Sequence, residues 1–254
     1  AVVGAGIAGL EAARVAAKRG HHVTVYEKSD KIGGQIHLAA VPPRKSEILR
    51  AVTYYEKILP QLNVNIKLNT EAEAEELNQY DAVILAVGAH NMALPMPVEN
   101  SNVVSAWEVL AGKEVQGSCV VLGGGLVGTE TAEYLAQKGV KVSIVEMMDK
   151  IAAGESSTVM PLIVKDFEKH EVAQYIQTKV VSIKNNVIEA VHTPDEAPVE
   201  LKADTIINAL GSKKNIFDDA KLTVPFTYVG DCSGEKTADI ASAIRTGYHA
   251  ANEL

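Results

Sequence analysis

Two stretches of this chain carry the same punctuation. Residues 1–35 read AVVGAGIAGLEAARVAAKRGHHVTVYEKSDKIGGQ, and residues 119–150 read CVVLGGGLVGTETAEYLAQKGVKVSIVEMMDK. In each, three glycines spaced G-x-G-x-x-G (Gly4, Gly6, Gly9 and Gly123, Gly125, Gly128) follow an apolar strand and open an apolar-faced helix. Each helix stops at a glycine, Gly20 or Gly139, and each following strand ends in an acid, Glu27 or Glu146. Every landmark is displaced by 119 residues. A second pair of segments, YDAVILAVGA at 80–89 and ADTIINALGS at 203–212, repeats with a displacement of 123 residues. Few folds accommodate such a duplication. Strand, glycine turn, helix and strand in this order predict a βαβ unit in a parallel sheet, so the expected fold class is α/β, with two Rossmann-like units.

The glycine spacing also has chemical content. The first glycine of each set permits a tight turn, the second lets the main chain approach a pyrophosphate, and the third lets helix and strand pack closely. The helix N-H groups and dipole then face the phosphates. An acid about twenty residues on, here Glu27 or Glu146, can accept both ribose hydroxyls and would repel a 2′-phosphate. Two such devices predict two dinucleotides. A redox relay needs two, one carrier that stays and one that leaves, which points to a flavin and a nicotinamide.

Composition narrows the class. The 254 residues are 47% hydrophobic, enough for sizeable cores in one or two domains. A net charge of -8 without clustered Lys or Arg argues against nucleic acid as a partner. No apolar run approaches a membrane span, and no signal peptide is visible, so the expected compartment is the cytoplasm. Cys119 and Cys232 are the only cysteines, and there is no Cys-x-x-Cys, so neither a disulfide framework nor a metal site is expected within the chain. Ala1-Val2-Val3 is shorter than the usual strand of about five or six residues, and no initiating Met precedes it, so a longer protein is expected.

The decorations of the two copies differ. After Glu27 comes KSDKIGGQ, where Gly33-Gly34 would let the main chain pass a long, resident cofactor a second time; the other copy has MMDKIAAGESS there. Near the end, TYVGDCSGEKTADIASAIRTGYHAANEL reads as a strand, a Gly-Asp pair and a helix starting near Thr237. Asp231 could accept the hydroxyls of a ribityl chain, with a turn or capping aspartate as the alternative. The helix would aim its positive end at the pyrimidine ring of a reduced flavin. These features assign FAD to the first copy and the nicotinamide to the second. At the second copy Met147, Met148 and Asp149 follow Glu146 with no Arg, which favours NADH over NADPH. The histidines give no reason to name a catalyst.

The quoted stretches, together with GGQIHLAAVPPRKSEILRAVTYYEKIL and AWEVLAGKEVQGSCVVLGGGLVGTETAEYL, resemble the two-dinucleotide-domain flavoproteins over essentially the whole chain. Within that group they look most like the C-terminal part of the multidomain old-yellow-enzyme relatives: 2,4-dienoyl-CoA reductases, 2-enoate reductases, NADH oxidases of that type and trimethylamine dehydrogenase. The resemblance implies a discontinuous FAD domain (residues 1–103 and 213–254) with an NADH domain (104–212) inserted in it. The Pro- and Asn-rich residues 90–102 and the polar turn 211–215 would be the linkers. Within the second domain, residues 172–204 read as an antiparallel β-meander turning at Asn185-Asn186, with 193–200 as a hairpin loop.

By resemblance, FAD would contact Gly4, Gly6, Gly9, Glu27, Lys28, Gly33, Gly34, Gln35, Gly88, Gly230 and Asp231. NADH would contact Gly123, Gly125, Gly128, Glu130, Glu146 and Gly211. Glu130 would lie near the nicotinamide, a helix-surface glutamate being the alternative. No catalytic acid or base is assigned, because hydride transfer belongs to the cofactors. The same resemblance implies a partner outside these residues, an N-terminal barrel module carrying FMN beside a 4Fe-4S cluster, which would take electrons from FAD and reduce an activated C=C bond. Two other expectations stay open: an electron-transfer subunit of glutamate-synthase or ferredoxin-reductase type, and a non-catalytic nucleotide-sensing module. Homo-oligomerisation is also left open.

Overall fold

The computed structural model describes residues 1–234 and 239–254. In chain order the elements begin β1 (Val2–Val3), α1 (Ile7–Lys18), β2 (Thr24–Tyr26), α2 (Ile36–Ala39), α3 (Leu49–Gln61), β3 (Asn65–Lys67), α4 (Ala74–Leu77) and β4 (Val83–Leu85). Next come β5 (Ala89–Asn91), β6 (Val98–Glu99), β7 (Val103–Ser105), α5 (Ala106–Leu110), β8 (Ser118–Leu122), α6 (Leu126–Gln137), β9 (Lys141–Val145) and α7 (Met160–Lys169). The remainder is β10 (Ala173–Tyr175), β11 (Thr178–Lys184), β12 (Val187–His192), β13 (Ala197–Lys202), β14 (Thr205–Asn208), β15 (Ser212–Lys214), β16 (Phe226–Tyr228) and α8 (Ile240–Asn252). Two compact units result. Unit 1 comprises Ala1–Ala40, Glu47–His90 and Lys213–Leu254; unit 2 comprises Val41–Ser46 and Asn91–Ser212.

Unit 1 is built on a five-stranded parallel sheet of order β16-β4-β1-β2-β3. Strand period two sends Val2, Val25 and Ile84 to one face, and Val3, Tyr26 and Leu85 to the other. The first face is covered by α1, α3 and α8. The small side chains of Ala12, Ala13 and Ala16 let α1 sit close, while Val52, Tyr55 and Leu59 of α3 close the flank. α8 lies tightly on α1 because Gly247 has no side chain: a Cβ there would come within 2.2 Å of the Ala8 carbonyl oxygen.

Unit 2 repeats the plan. Its parallel sheet has the order β10-β9-β8-β14-β7, which is the order of unit 1 read strand for strand. β8 stands for β1, β9 for β2, β10 for β3, β14 for β4 and β7 for β16. One face packs Cys119, Val121 and Ile144 against Ala132 and Leu135 of α6 and Ile163 and Phe167 of α7. The other packs Val120, Leu122 and Ile206 against Ile183 and Ile188 of a second sheet, antiparallel but for the parallel pair of β11 with β6.

That sheet has the order β13-β12-β11-β6, so the expected meander is joined to the parallel sheet by face packing rather than by edge pairing. Its first turn uses Asn185 (φ 50°) and Asn186 (φ 61°), the left-handed pair that a two-residue hairpin requires. The supposed loop 193–200 is shorter: residues from Ala197 onward pair with β12, because period-two alternation persists through Ala197–Lys202 despite Pro198. The linkers are also more ordered than their composition suggests. β5 and β15 form a two-stranded sheet, and residues 91–103, expected to close the first domain, pack with unit 2. Prolines and asparagines marked these stretches as irregular, but Leu94, Met96 and Val103 have an apolar cluster to fill. Residues 41–46, expected within the first domain, belong to unit 2 as well.

Replacing Gly247 by Val is expected to push α8 off α1 and lower the stability of unit 1 by about 2 kcal/mol or more, the range of overpacked cores. Urea unfolding followed by far-ultraviolet dichroism would measure it; an unchanged midpoint would show that the helices part without cost.

Candidate functional site

In an open parallel sheet a ligand lies beyond the carboxyl ends of the strands, where neighbouring connections run in opposite directions. In unit 1 that point lies between β1 and β4; in unit 2 it lies between β8 and β14. The fingerprint glycines sit at both. A Cβ on Gly4 would come within 2.4 Å of the Ala86 carbonyl oxygen, and one on Gly123 within 2.7 Å of that of Ala209. On Gly9 it would lie 2.0 Å from the Gly4 oxygen, and on Gly128 1.9 Å from the Gly123 oxygen. Side chains are thus excluded where helix, turn and strand meet. At Gly6 and Gly125 the opposite holds, for nothing lies within 4 Å of a Cβ there.

Both helices begin at these open glycines without a side-chain cap, Gly6 for α1 and Gly125 for α6. Elsewhere the chain caps a helix fully: Ser105 and Glu108 form a reciprocal capping box at α5. The first-turn N-H groups of α1 and α6 therefore face open space with their dipoles, an arrangement that fits a pyrophosphate.

The two acids are held alike. Ala5 N-H donates to Glu27 Oε2 at 2.7 Å, and Ser29 donates to Oε1 through its N-H at 2.8 Å and its hydroxyl at 2.7 Å. In unit 2, Gly124 N-H donates to Glu146 Oε2 at 2.6 Å and Met148 N-H to Oε1 at 2.7 Å. The donors are the same two positions, displaced by 119 residues. Each carboxylate is fixed at the mouth of its glycine turn, and Glu27 Oε2 and both Glu146 oxygens keep a lone pair for a further donor. Ser29 was not legible as a site residue, because its contact is with the acid two places before it.

The remaining first-copy residues divide into two groups. Gly33 N-H donates to the Ala5 carbonyl at 2.8 Å, and a Cβ on Gly34 would lie 3.2 Å from the Gly6 Cα, so this second glycine turn touches the first. The second copy makes the same contact without glycine: Ala152 N-H donates to the Gly124 carbonyl at 2.6 Å, with Ala152 at φ 49°. The Gly-Gly pair therefore does not set the path of the chain. What distinguishes it is the missing side chain beside Gly6. Gln35 Nε2 donates to Asp231 Oδ2 at 3.0 Å and lies 3.6 Å from a Cβ position on Gly88, which gathers Gln35, Gly88, Gly230 and Asp231 beyond β4 and β16. Asn215, not foreseen, pins that turn through bonds to the Val87 and Gly88 carbonyls at 2.7 and 2.9 Å. Lys28 is exposed. Thr237 lies outside the described residues; α8 is described from Ile240, with Asp239 as its N-cap.

In unit 2 Gly211 follows β14 with open space about it. Glu130 is only 8% exposed and pairs with Lys45, so it is not a helix-surface glutamate. Burial pushes its carboxyl above the usual range, offset in part by the Lys45 ammonium. Thr129 Oγ1 donates to the Gly124 carbonyl at 3.0 Å and braces the glycine turn from the helix side. Both thiols are buried and free, Cys119 pushed up to about 12 and Cys232 also upward, each by burial.

A family model for pyridine nucleotide-disulphide oxidoreductases matches residues 1–229. The chain belongs to that family. Its fold is that of the FAD- and NAD(P)H-dependent oxidoreductases. Among curated relatives it is 46% identical over 262 residues to a bilirubin reductase of Mediterraneibacter gnavus, covering 100% of this chain and 40% of that one. It is 35% identical over 261 residues to a cinnamate reductase of Clostridium sporogenes, covering 100% and 39%. A solved 2-naphthoyl-CoA reductase complex matches with a TM-score of 0.88 at 28% identity, covering 100% of this chain and 39% of that one. A Lactococcus lactis thioredoxin reductase shares the fold at 19% identity and TM-score 0.75, covering 99% and 96%. The chain thus spans about 40% of the length of the bilirubin, cinnamate and 2-naphthoyl-CoA reductases. It belongs with the part of the old-yellow-enzyme-type reductases that the sequence resembles.

Two outcomes are expected. Glu27→Gln replaces one of two acceptor oxygens by an amide donor facing a main-chain N-H, so the first turn should lose about 1–3 kcal/mol, read by urea unfolding followed by far-ultraviolet dichroism. The family name notwithstanding, Cys119 and Cys232 should resist a thiol reagent in the native chain and react only on unfolding; rapid native labelling would contradict their burial.

Proposed function

We propose that the chain holds FAD on unit 1 and exchanges NADH on unit 2, and that it forms the reductase half of an enzyme acting on an activated C=C bond. The observation that carries this is the duplication of one device: two uncapped helices, each with a carboxylate clamped by the same two main-chain donors. When bound, the cofactors supply hydride transfer from nicotinamide to flavin and onward delivery of electrons. The chain's own residues bind and orient. Gly4, Gly6 and Gly9 with Glu27 hold the adenosine side of FAD, while Gly33, Gly34, Gln35, Gly88, Gly230 and Asp231 line its longer path. Gly123, Gly125, Gly128, Glu146 and Gly211 hold NADH, with Glu130 beside the nicotinamide end.

The identity of the resident and the exchanging carrier is supported by the Gln35, Gly88 and Asp231 cluster, which has no described counterpart in unit 2. NADH is favoured over NADPH because a 2′-phosphate would approach the fixed Glu146 carboxylate. The electron acceptor is proposed to be an FMN and 4Fe-4S module of the longer protein, consistent with relatives named bilirubin, cinnamate and 2-naphthoyl-CoA reductase that are more than twice the length of this chain. Cys119 and Cys232 are buried free thiols and form no disulfide that could accept electrons.

The test is anaerobic addition of NADH to the FAD-supplemented chain. The flavin absorbance should fade, and NADPH should require at least about ten-fold more nucleotide for the same rate, given the repulsion between Glu146 and a phosphate. Retained FAD that NADH never bleaches would sink this reading and favour a nucleotide sensor.

A further inference from the structure

The two fingerprint helices bury a glutamate at the same place, two residues beyond the third glycine: Glu11 in α1, 5% exposed, and Glu130 in α6, 8% exposed. Three residues further on they part. Unit 1 has Arg14, which supplies the cation, donating from Nε to Glu11 Oε2 at 2.7 Å and from its terminal nitrogen to Oε1 at 2.6 Å; Tyr55 adds a hydroxyl at 2.9 Å. Unit 2 has Glu133 instead. Helix α6 therefore carries two acids one turn apart and no Lys or Arg of its own. The Glu133 side chain is 2% exposed.

Their cations come from the short stretch Val41–Ser46, which the chain contributes to unit 2 between two stretches of unit 1. Lys45 Nζ pairs with Glu130 Oε1, and one terminal nitrogen of Arg44 pairs with Glu133 Oε1. The other terminal nitrogen donates to Asp166 Oδ2 on α7 at 3.1 Å, where Gln137 of α6 also donates at 2.9 Å. Arg44 does this with φ at 67°, a left-handed backbone that a non-glycine residue keeps only when its surroundings hold it there.

We propose that Arg44 is a positioning residue for the nucleotide site of unit 2: by balancing the buried charge of Glu133 and bracketing α6 to α7, it holds α6 where its first turn can receive the pyrophosphate. This rests on unit 2 being the NADH unit. Two carboxylates at i and i+3 repel, and a buried one without a partner costs far more than an exposed one. Burial already pushes the Glu133 carboxyl upward, opposed by Arg44. The charged groups facing Glu133 are Arg44 and Asp166; those facing Glu130 are Lys45 and, further off, Glu155. Without Arg44, Glu133 would keep a proton or α6 would shift toward solvent, and only the second disturbs the site.

That choice depends on pH, which provides the test. A carboxyl whose pKa folding raises binds its proton more tightly in the folded state, so stability is lost as pH climbs from the unfolded value of about 4.3 toward the folded one. Two measurements on the FAD-loaded chain decide: the thermal midpoint against pH without nicotinamide nucleotide, and the NADH dissociation constant by anaerobic fluorescence titration after the flavin has been reduced with dithionite, so that no hydride is transferred. For Arg44→Met the midpoint should fall with rising pH more steeply than in the parent, and the NADH constant should rise about ten-fold well above the unfolded carboxyl value but less than about two-fold near it. Adding Glu133→Gln should return both toward the parent at every pH, because the unpartnered charge leaves with its partner.

If Arg44→Met does not fold, Arg44→Lys keeps a cation that cannot span Glu133 and Asp166 together, and it should show the same pH-dependent loss in smaller measure. A pH-independent loss of affinity, a loss that Glu133→Gln fails to correct, or no loss with either Arg44 variant would overturn the proposal. Should the parent bind no NADH, the reading of unit 2 fails, while a midpoint that ignores pH in the variant separately refutes charge balancing by Arg44.

Discussion

The structure depends on a main-chain N-H given to a carboxylate. In each unit the residue between the first two fingerprint glycines, Ala5 or Gly124, donates to the acid at the end of the next strand. That bond fixes the turn to the neighbouring strand, fixes the acid at the mouth of the turn, and leaves the helix behind it open-ended. A polar group buried at such a junction must be satisfied, and the acid does so while retaining acceptor capacity for a sugar hydroxyl. Binding geometry is thereby set before any ligand arrives, which lowers the ordering cost of association.

Much of this was legible from residue types. The glycines, the strand-end acids and the repeat at 119 residues located both turns, because the constraints there are local: a glycine is required where a carbonyl oxygen lies within about 2 Å of a missing Cβ, and the chain around it has one geometry. The Asn185-Asn186 turn was legible for the same reason. Less local features were not. Residues 41–46 fell inside the expected first domain, since the partners of Arg44 and Lys45 that tie them to unit 2 stand 89 and 85 residues away. The strands β5 and β15 were hidden in polar sequence because their pairing is made by main chain. Ala197–Lys202 was hidden by a proline and charges that face outward from an edge strand.

The two units also show what a duplication keeps and what it lets drift. Strand order, the glycine turn and the acid clamp are the same in both. The turn at Gly33 and Ala152 keeps its hydrogen bond to the fingerprint loop although only one copy has glycine there. What drifts is the supply of charge. One helix neutralises its buried glutamate from within, through Arg14, and the other draws on a distant segment, so the same fold carries two different couplings between a helix and its surroundings.

The packing of α8 on α1 has a consequence for biosynthesis. Gly247 brings together two helices that flank unit 2 in sequence, so the sheet face covered by α1 stays unfinished until residues 213–254 have left the ribosome. Unit 2, almost wholly contiguous, can mature first. Helix α1, translated before unit 2, is thus sealed only after it, and contacts of such long sequence separation close slowly. Helix α1 therefore stays exposed throughout the synthesis of unit 2, an interval in which a chaperone or a resident nucleotide would find it unguarded.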